Sequence, residues 1–227
     1  MVRHLVERWP PSDRKVTLSF LLKRFVQGDG LDGLGRHVLW TSSVPPALLA
    51  RLGVAPGPLA WEAPAGAGLL DKLQQYDLER PLAEGLLTKA DRAGMHSALE
   101  LRVPFLDPAV LEFAAALPPE ERVRRFETKV FLKRYALRYL PNEIVHRRKR
   151  GLSVPLAAWL RGPLLAWAEE ALQRPAIAEI GLAPVALRQL FTEHLNRDAD
   201  HARVLWTVIV LSEWLAWAER DLTGRKG

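Results

Sequence analysis

No convincing strand is read along the chain from alternation of apolar and polar residues. The nearest approaches, residues 36–41 and 144–146, are too short to count. Without strands there is no sheet, so apolar residues can be buried only between helices. Helical signals are correspondingly dense. Asp107-Pro108 reads as an N-cap followed by proline at the first helical position, with Val110, Leu111, Ala114 and Leu117 on one face before Pro118-Pro119. Leu156 to Gln173 has helical periodicity broken at Gly162-Pro163, Pro184 opens a helix through Leu195, and Ala202 to Arg220 makes a long one. Leu18 to Val26, with Lys23 and Arg24 inside, reads as an amphipathic helix. Residues 28–71 differ: glycine and proline recur, periodicity is weak, and residues 55–68 read as a loop. No internal repeat is visible.

Composition narrows the chemistry. The 227 residues include no cysteine, which removes disulfide scaffolds, iron–sulfur sites, zinc fingers and cysteine nucleophiles. Eight tryptophans and 48% apolar residues are enough for a real core, so global disorder is excluded. Trp159, Trp167, Trp206, Trp214 and Trp217 sit among aliphatic neighbours and are expected in that core. The first eleven residues hold no apolar run of signal-peptide length, so a cytoplasmic location is expected. The closest approach to a membrane span, Ala202 to Ala218, carries Arg203, Ser212 and Glu213 and falls short of the about 20 apolar residues required. A buried helix is the expectation there.

The formal charge of +6 is concentrated in one place. Residues 121–150 hold eleven lysines and arginines against Glu121, Glu127 and Glu143, a segment charge of +8, so the rest of the chain sums to −2. Such a patch suits phosphate or nucleic acid, or simply a solvated face. Lys129 and Lys133 are four apart on a helical period, as are Arg134 and Arg138. Like charges at that spacing each cost about 0.2–0.5 kcal/mol. Carboxylates from elsewhere in the fold, or an anionic ligand, are expected to offset them.

Two formal motifs lead nowhere. Gly28-Asp29-Gly30-Leu31-Asp32-Gly33 matches a dinucleotide fingerprint, but a helix precedes it where a strand is needed, and no acidic residue follows about 20 positions on. The six histidines show no metal-ligand spacing, and Ser97 lacks a nucleophile-elbow context, so no protein-held metal is expected.

The informative stretch is Leu86-Leu87-Thr88-Lys89-Ala90-Asp91-Arg92-Ala93-Gly94-Met95-His96-Ser97-Ala98-Leu99-Glu100-Leu101-Arg102-Val103-Pro104-Phe105-Leu106-Asp107. It closely resembles the synthetase domain of glutamine-dependent asparagine synthetases. Downstream, Thr128-Lys129, Tyr139-Leu140-Pro141-Asn142-Glu143-Ile144-Val145 and the loop Arg147-Arg148-Lys149-Arg150-Gly151-Leu152-Ser153-Val154-Pro155 continue the likeness, as do Leu205-Trp206 and Glu213-Trp214-Leu215. It runs in order from about residue 70 to 220. Three departures stand out: Gly94 where the family usually has Ser, Ala98 interrupting Ser-Leu-Glu, and Leu152 replacing an aromatic.

The resemblance implies a mainly α chain, the helical C-terminal portion of a PP-loop ATPase (adenine-nucleotide α-hydrolase-like) synthetase domain whose parallel sheet is largely missing. An N-terminal helical and loop segment over residues 1–70 would precede a helical core over 71–227. The family activates the side-chain carboxylate of aspartate with ATP and Mg²⁺, giving an acyl-adenylate that ammonia from glutamine then attacks. By resemblance, Lys149 matches the catalytic lysine and Glu100 the acidic residue facing the intermediate. Ala98 and Leu99 match backbone positions lining the nucleotide, and Lys129 is a weaker nucleotide candidate. Asp91, Arg92, Arg102 and Asp107 are supporting, with a structural ion pair or cap as the plainer role of Asp91 and Arg92. The family's S-G-G-x-D-S pyrophosphate loop and its N-terminal cysteine are absent from the sequence. A partner chain carrying both is therefore implied, with nucleic acid and membrane unlikely partners. The alternatives are a related ligase forming another amide, of β-lactam or lasso-peptide cyclising type, and a non-catalytic remnant or binding module using the basic patch.

Overall fold

The computed structural model describes residues 18–55, 57, 61–149 and 154–224. Helix accounts for 65% of it and strand for 2%, so the mainly helical expectation holds and no parallel sheet is present among the described residues. The elements run in this order: α1 (Leu18–Gln27), α2 (Gly33–Thr41), α3 (Pro46–Arg51), α4 (Leu69–Asp77), a π-helical stretch (Leu78–Leu87), α5 (Thr88–Met95), a 3₁₀ turn (Pro104–Leu106), α6 (Pro108–Ala116) and α7 (Pro119–Arg122). After these come β1 (Val123–Arg124), β2 (Glu127–Thr128), α8 (Val130–Ala136), α9 (Asn142–Val145), α10 (Leu156–Leu160), α11 (Leu165–Leu172), α12 (Pro175–Glu179), α13 (Pro184–Leu195) and α14 (Ala202–Gly224). The strands form one antiparallel hairpin, pairing Val123 with Thr128 and Arg124 with Glu127.

Local chemistry explains most boundaries. Proline occupies a first-turn position in α3, α6, α7, α12 and α13, where its missing N–H costs nothing. Asp107 Oδ1 accepts the Ala109 amide at 3.0 Å and so caps α6. The break at Gly162-Pro163 separates α10 from α11 as expected. Pro81 lies inside the π-helical stretch, which continues α4 into α5 without leaving helical backbone angles at Asp77, Leu78, Leu87 or Thr88. The glycine-rich match at 28–33 is a turn followed by a capped helix, since Asp32 Oδ1 accepts the Gly35 amide at 2.7 Å. The weakly periodic region holds two helices, α2 and α3, that the sequence did not announce. They are short and none of their residues is buried, so no apolar stripe was required of them.

The chain forms two compact units. The first joins Met1–Glu62 with Ser153–Gly227, and its core lies among α10 to α14. Leu160, Leu190, Leu205 and Ile209 are fully buried there. Gly181, at φ +91°, ends α12: its amide bonds the Ala178 carbonyl and the Leu182 amide bonds that of Ile177. A residue in this left-handed conformation lets both last carbonyls be satisfied. Polar groups tie the same unit together. Glu193 receives two bonds from Arg51 at 2.7 and 3.2 Å and lies 2.6 Å from His201 Nε2. The buried Ser212 hydroxyl donates to the Ala171 carbonyl at 2.6 Å.

The tryptophans correct an expectation. Trp167 is half-buried and donates its indole N–H to Glu213 at 3.0 Å, but Trp159, Trp206, Trp214 and Trp217 are 37–55% exposed. Helix α14 is apolar on two faces, and the stripe that includes Val204, Leu205, Val208, Ile209 and Ser212 is the one buried. The expected buried helix is thus buried on one side. No helix among the described residues is long and apolar enough to cross a membrane.

The second unit spans Ala63–Leu152. Tyr76 is the buried hydrophobe among its described residues, and a run of rings (Phe113, Phe131, Tyr135, Tyr139) links α6 to α8 with successive centroids 5.2, 6.3 and 5.4 Å apart. Arg122 reaches Asp71 at 2.6 Å and Gln74 at 2.6 Å, fastening α7 to α4.

Candidate functional site

All of the candidate residues belong to the second unit. Helix α5 carries Asp91 and Arg92 on its exposed surface, and among the described residues neither makes an ion pair.

Helix α5 ends in a tight stop. The Ala98 amide bonds the Met95 carbonyl at 3.0 Å and the Leu99 amide bonds the Gly94 carbonyl at 2.9 Å, with Ala98 at φ +55°. A non-glycine residue thus holds the left-handed position that ends a helix. A β-carbon on Gly94 would lie 2.7 Å from the Leu99 carbonyl oxygen and 3.2 Å from Leu101 Cδ1. The two departures seen in the sequence, at 94 and 98, therefore sit within one stop. Gly94 admits the close approach of the chain that returns at Leu99. The sequence flagged the position but not this reason, which exists only once residues 94 and 99 meet.

Residues 99–103 then run without helix, strand or turn. Glu100 Oε1 and Arg102 Nη2 are 2.5 Å apart, with side chains 67% and 84% exposed. An ion pair this exposed is worth about 0–1 kcal/mol, so neither residue is there chiefly for stability. Asp107 is different: its carboxylate is engaged in capping α6.

Lys129 starts α8 at φ +59°, and its amide bonds the Arg122 carbonyl at 2.8 Å, closing the hairpin; its side chain is exposed. Lys149 is exposed beyond the end of α9. Arg150 to Ser153, including Leu152 of the basic loop, lie outside the described residues. Among the described residues no ion pair joins Glu100 to Lys129 or Lys149. The structure brings together Glu100 and Arg102, and it leaves the lysines as separate exposed cations.

The like-charge spacing in α8 is resolved by carboxylates. Lys133 pairs with Glu127 at 3.2 Å and Arg134 with Glu121 at 2.8 Å, while Arg138 lies over the Tyr135 ring at 5.6 Å. Arg122 is held by Asp71, a carboxylate from outside the +8 segment. Among the described residues, no group of three or more His, Asp or Glu side chains converges as for a metal ion.

Comparison with known proteins gives a consistent answer. The family described as Asparagine synthase matches residues 2–216. A putative glutamine-hydrolysing asparagine synthetase of Mycobacterium tuberculosis is 37% identical over 153 residues, covering 67% of this chain and 23% of that protein. Glutamine-hydrolysing asparagine synthetase 1 of Bacillus subtilis is 31% identical over 145 residues, covering 64% of this chain and 23% of its own length. The chain thus spans about a quarter of the length of these relatives. No solved structure matches it significantly. The match over nearly the whole chain, together with the ordered motifs around Glu100 and Lys149, means that the chain belongs to the asparagine synthase family.

Proposed function

We propose that this chain supplies the Glu100 and Lys149 side of an ATP-dependent carbon–nitrogen ligase site, completed by another polypeptide that carries the pyrophosphate-binding loop and the glutaminase. The observation that carries this reading is the exposed Glu100–Arg102 pair, placed between the stop that ends α5 and the cap that starts α6 and contributing little to stability.

In this reading aspartate is the carboxylate, and ATP enters as its Mg²⁺ complex. A carboxylate oxygen attacks the α-phosphorus, the α–β phosphoanhydride breaks and pyrophosphate leaves with the electron pair. Ammonia then attacks the acyl carbon, the bond to AMP oxygen breaks, and the surplus proton on nitrogen goes to a base. Lys149, a compact ammonium on an exposed segment, follows charge onto the departing pyrophosphate. Glu100 orients the amine or takes its proton, with Arg102 holding the carboxylate. Ala98, Leu99 and Lys129 lie toward the nucleotide. Backbone amides of a phosphate loop come, in this reading, from outside residues 1–227, since S-G-G-x-D-S does not occur among them.

Co-expression with a loop-bearing chain and measurement of pyrophosphate release with ATP, Mg²⁺ and aspartate tests the proposal. Turnover that requires both chains is expected. Association without turnover on any carboxylate, or no association, overturns it. Turnover on a different carboxylate instead identifies a sister amide ligase. The exposed Arg147, Arg148 and Lys149 favour a second reading, a basic module that binds nucleic acid; it requires binding that weakens steeply with salt.

A further inference from the structure

Residue 129 is an unfavourable place for a lysine on local grounds. Its backbone is left-handed, at φ +59° and ψ +40°, a conformation costly to any residue with a β-carbon. It stands at the N-cap of α8, where serine, threonine, aspartate or asparagine is preferred, and its side chain makes no cap hydrogen bond. A cation there also meets the unfavourable end of the helix dipole. A residue disfavoured on three counts persists when its surroundings impose it, and such strain gathers at functional sites.

The residue that imposes it is Arg122. Its guanidinium reaches Asp71 and Gln74, one turn apart on the same face of α4, at 2.6 Å each, and the side chain is only 12% exposed. Through its carbonyl the same residue accepts the Lys129 amide at 2.8 Å, continuing the hairpin register that pairs Val123 with Thr128. The Lys129 carbonyl in turn accepts the Lys133 amide at 2.9 Å, so both backbone groups of the lysine are gripped. The neighbouring cations are already engaged, Lys133 by Glu127 and Arg134 by Glu121. Lys129 is exposed, and among the described residues no carboxylate pairs with it.

We infer that Arg122 is a positioning residue, holding Lys129 in its strained conformation so that the ammonium meets the phosphates of the nucleotide. The inference rests on the proposed function for the identity of that anion. Glycine at 129 would relieve the backbone but would carry no ammonium. With the backbone already fixed, only side-chain torsions remain to be ordered when an anion binds, which lowers the entropic cost of binding.

The probe is inorganic pyrophosphate, titrated into the full chain at low salt and followed by phosphorus NMR. Wild type should bind, and Lys129→Met should weaken binding by about fivefold or more. Arg122→Met should weaken it to a similar degree, although its own guanidinium is committed to α4. The double variant should bind no more weakly than either single one, because a residue that acts only through Lys129 then has nothing left to position. Losses that add would give Arg122 an independent role and overturn the inference, as would wild type that binds no pyrophosphate. Asp71→Asn, checked with Arg122→Met by far-UV circular dichroism, loosens the clamp from α4 and leaves the hairpin sequence intact. It should lower affinity and speed hydrogen exchange at the Lys129 amide; both unchanged would also overturn the inference. Should Arg122→Met fail to fold, Asp71→Asn carries the same cycle with Lys129→Met. Non-additive losses without pyrophosphate release in the ligase assay would leave the positioning role standing and remove the ligase reading instead.

Discussion

The carbonyl oxygen of Leu99 lies 2.7 Å from the point where a β-carbon on Gly94 would stand. That oxygen belongs to the backbone and cannot swing aside. Gly94→Ser should therefore displace the return of the chain at residues 97–99 and lower stability by about 1–3 kcal/mol. Urea denaturation measures the loss. Faster hydrogen exchange at the Leu99 amide, which bonds the Gly94 carbonyl, locates it. An unchanged midpoint and unchanged exchange would contradict the geometry.

Ala98 is strained by its place in the helix stop, because its φ of +55° brings its β-carbon toward the backbone. The left-handed conformation costs about 1–2 kcal/mol in a non-glycine residue. Replacement by glycine removes this but adds unfolded-state entropy worth about 0.4–1 kcal/mol. Ala98→Gly should raise stability by about 0.5–1 kcal/mol, read as a higher thermal midpoint with an unchanged circular dichroism spectrum.

Acid should loosen the first unit through two groups that act in the same direction. His194 is fully buried; its Nε2 lies 3.3 Å from the Ala157 carbonyl and its Nδ1 accepts the His201 amide at 3.3 Å. Burial lowers its pKa, the Arg161 guanidinium adds to this, and Asp200 opposes it more weakly. Below the ordinary imidazole value of about 6.5 the unfolded chain then binds more protons than the folded one, so stability falls as pH falls. Glu193 adds its loss at lower pH. The Arg51 guanidinium, opposed by burial and helped by His201, holds its carboxyl below the usual carboxylate range, and its contribution is lost as it protonates. The thermal midpoint should drop between about pH 7.5 and pH 5.5, and His194→Gln, though less stable throughout, should flatten that interval. Equal slopes in the two proteins would remove His194 from the explanation.

Glu100→Gln and Lys149→Ala separate function from fold. Both side chains are exposed, so stability should change by no more than about 0.5 kcal/mol. Pyrophosphate release, if the proposed function holds, should fall by about 10²-fold or more in each. Full activity in either variant would remove that residue from the site.

Leu205 is fully buried on the inner face of α14. Leu205→Ala leaves a cavity among α10 to α13 and should cost about 2–5 kcal/mol. Trp214→Ala, on the exposed side of the same helix, should cost far less. Chemical denaturation of the two variants ranks the faces, and a reversed order would mean the wrong stripe is in the core.

What the sequence determined by itself was whatever depends on neighbours within about a turn of helix. Asp107 capping a helix that begins with Pro108, the break at Gly162-Pro163 and the helix from Pro184 to Leu195 all rest on i to i+4 chemistry, and all are present. The ordered motifs around Glu100 and Lys149 placed the chain in its family without a coordinate. Tertiary structure decided the rest, because burial and pairing join residues far apart in the chain. Periodicity put Trp206, Val210, Trp214 and Trp217 on one stripe of α14, but α10 to α13 pack against the opposite stripe, and only packing partners choose a face. Arg51 finds Glu193 across 142 residues, and Arg122 finds Asp71 from another helix, pairings no local pattern encodes. The same holds for Gly94: its absent side chain became meaningful only when the chain turned back and set the Leu99 carbonyl where a β-carbon would be.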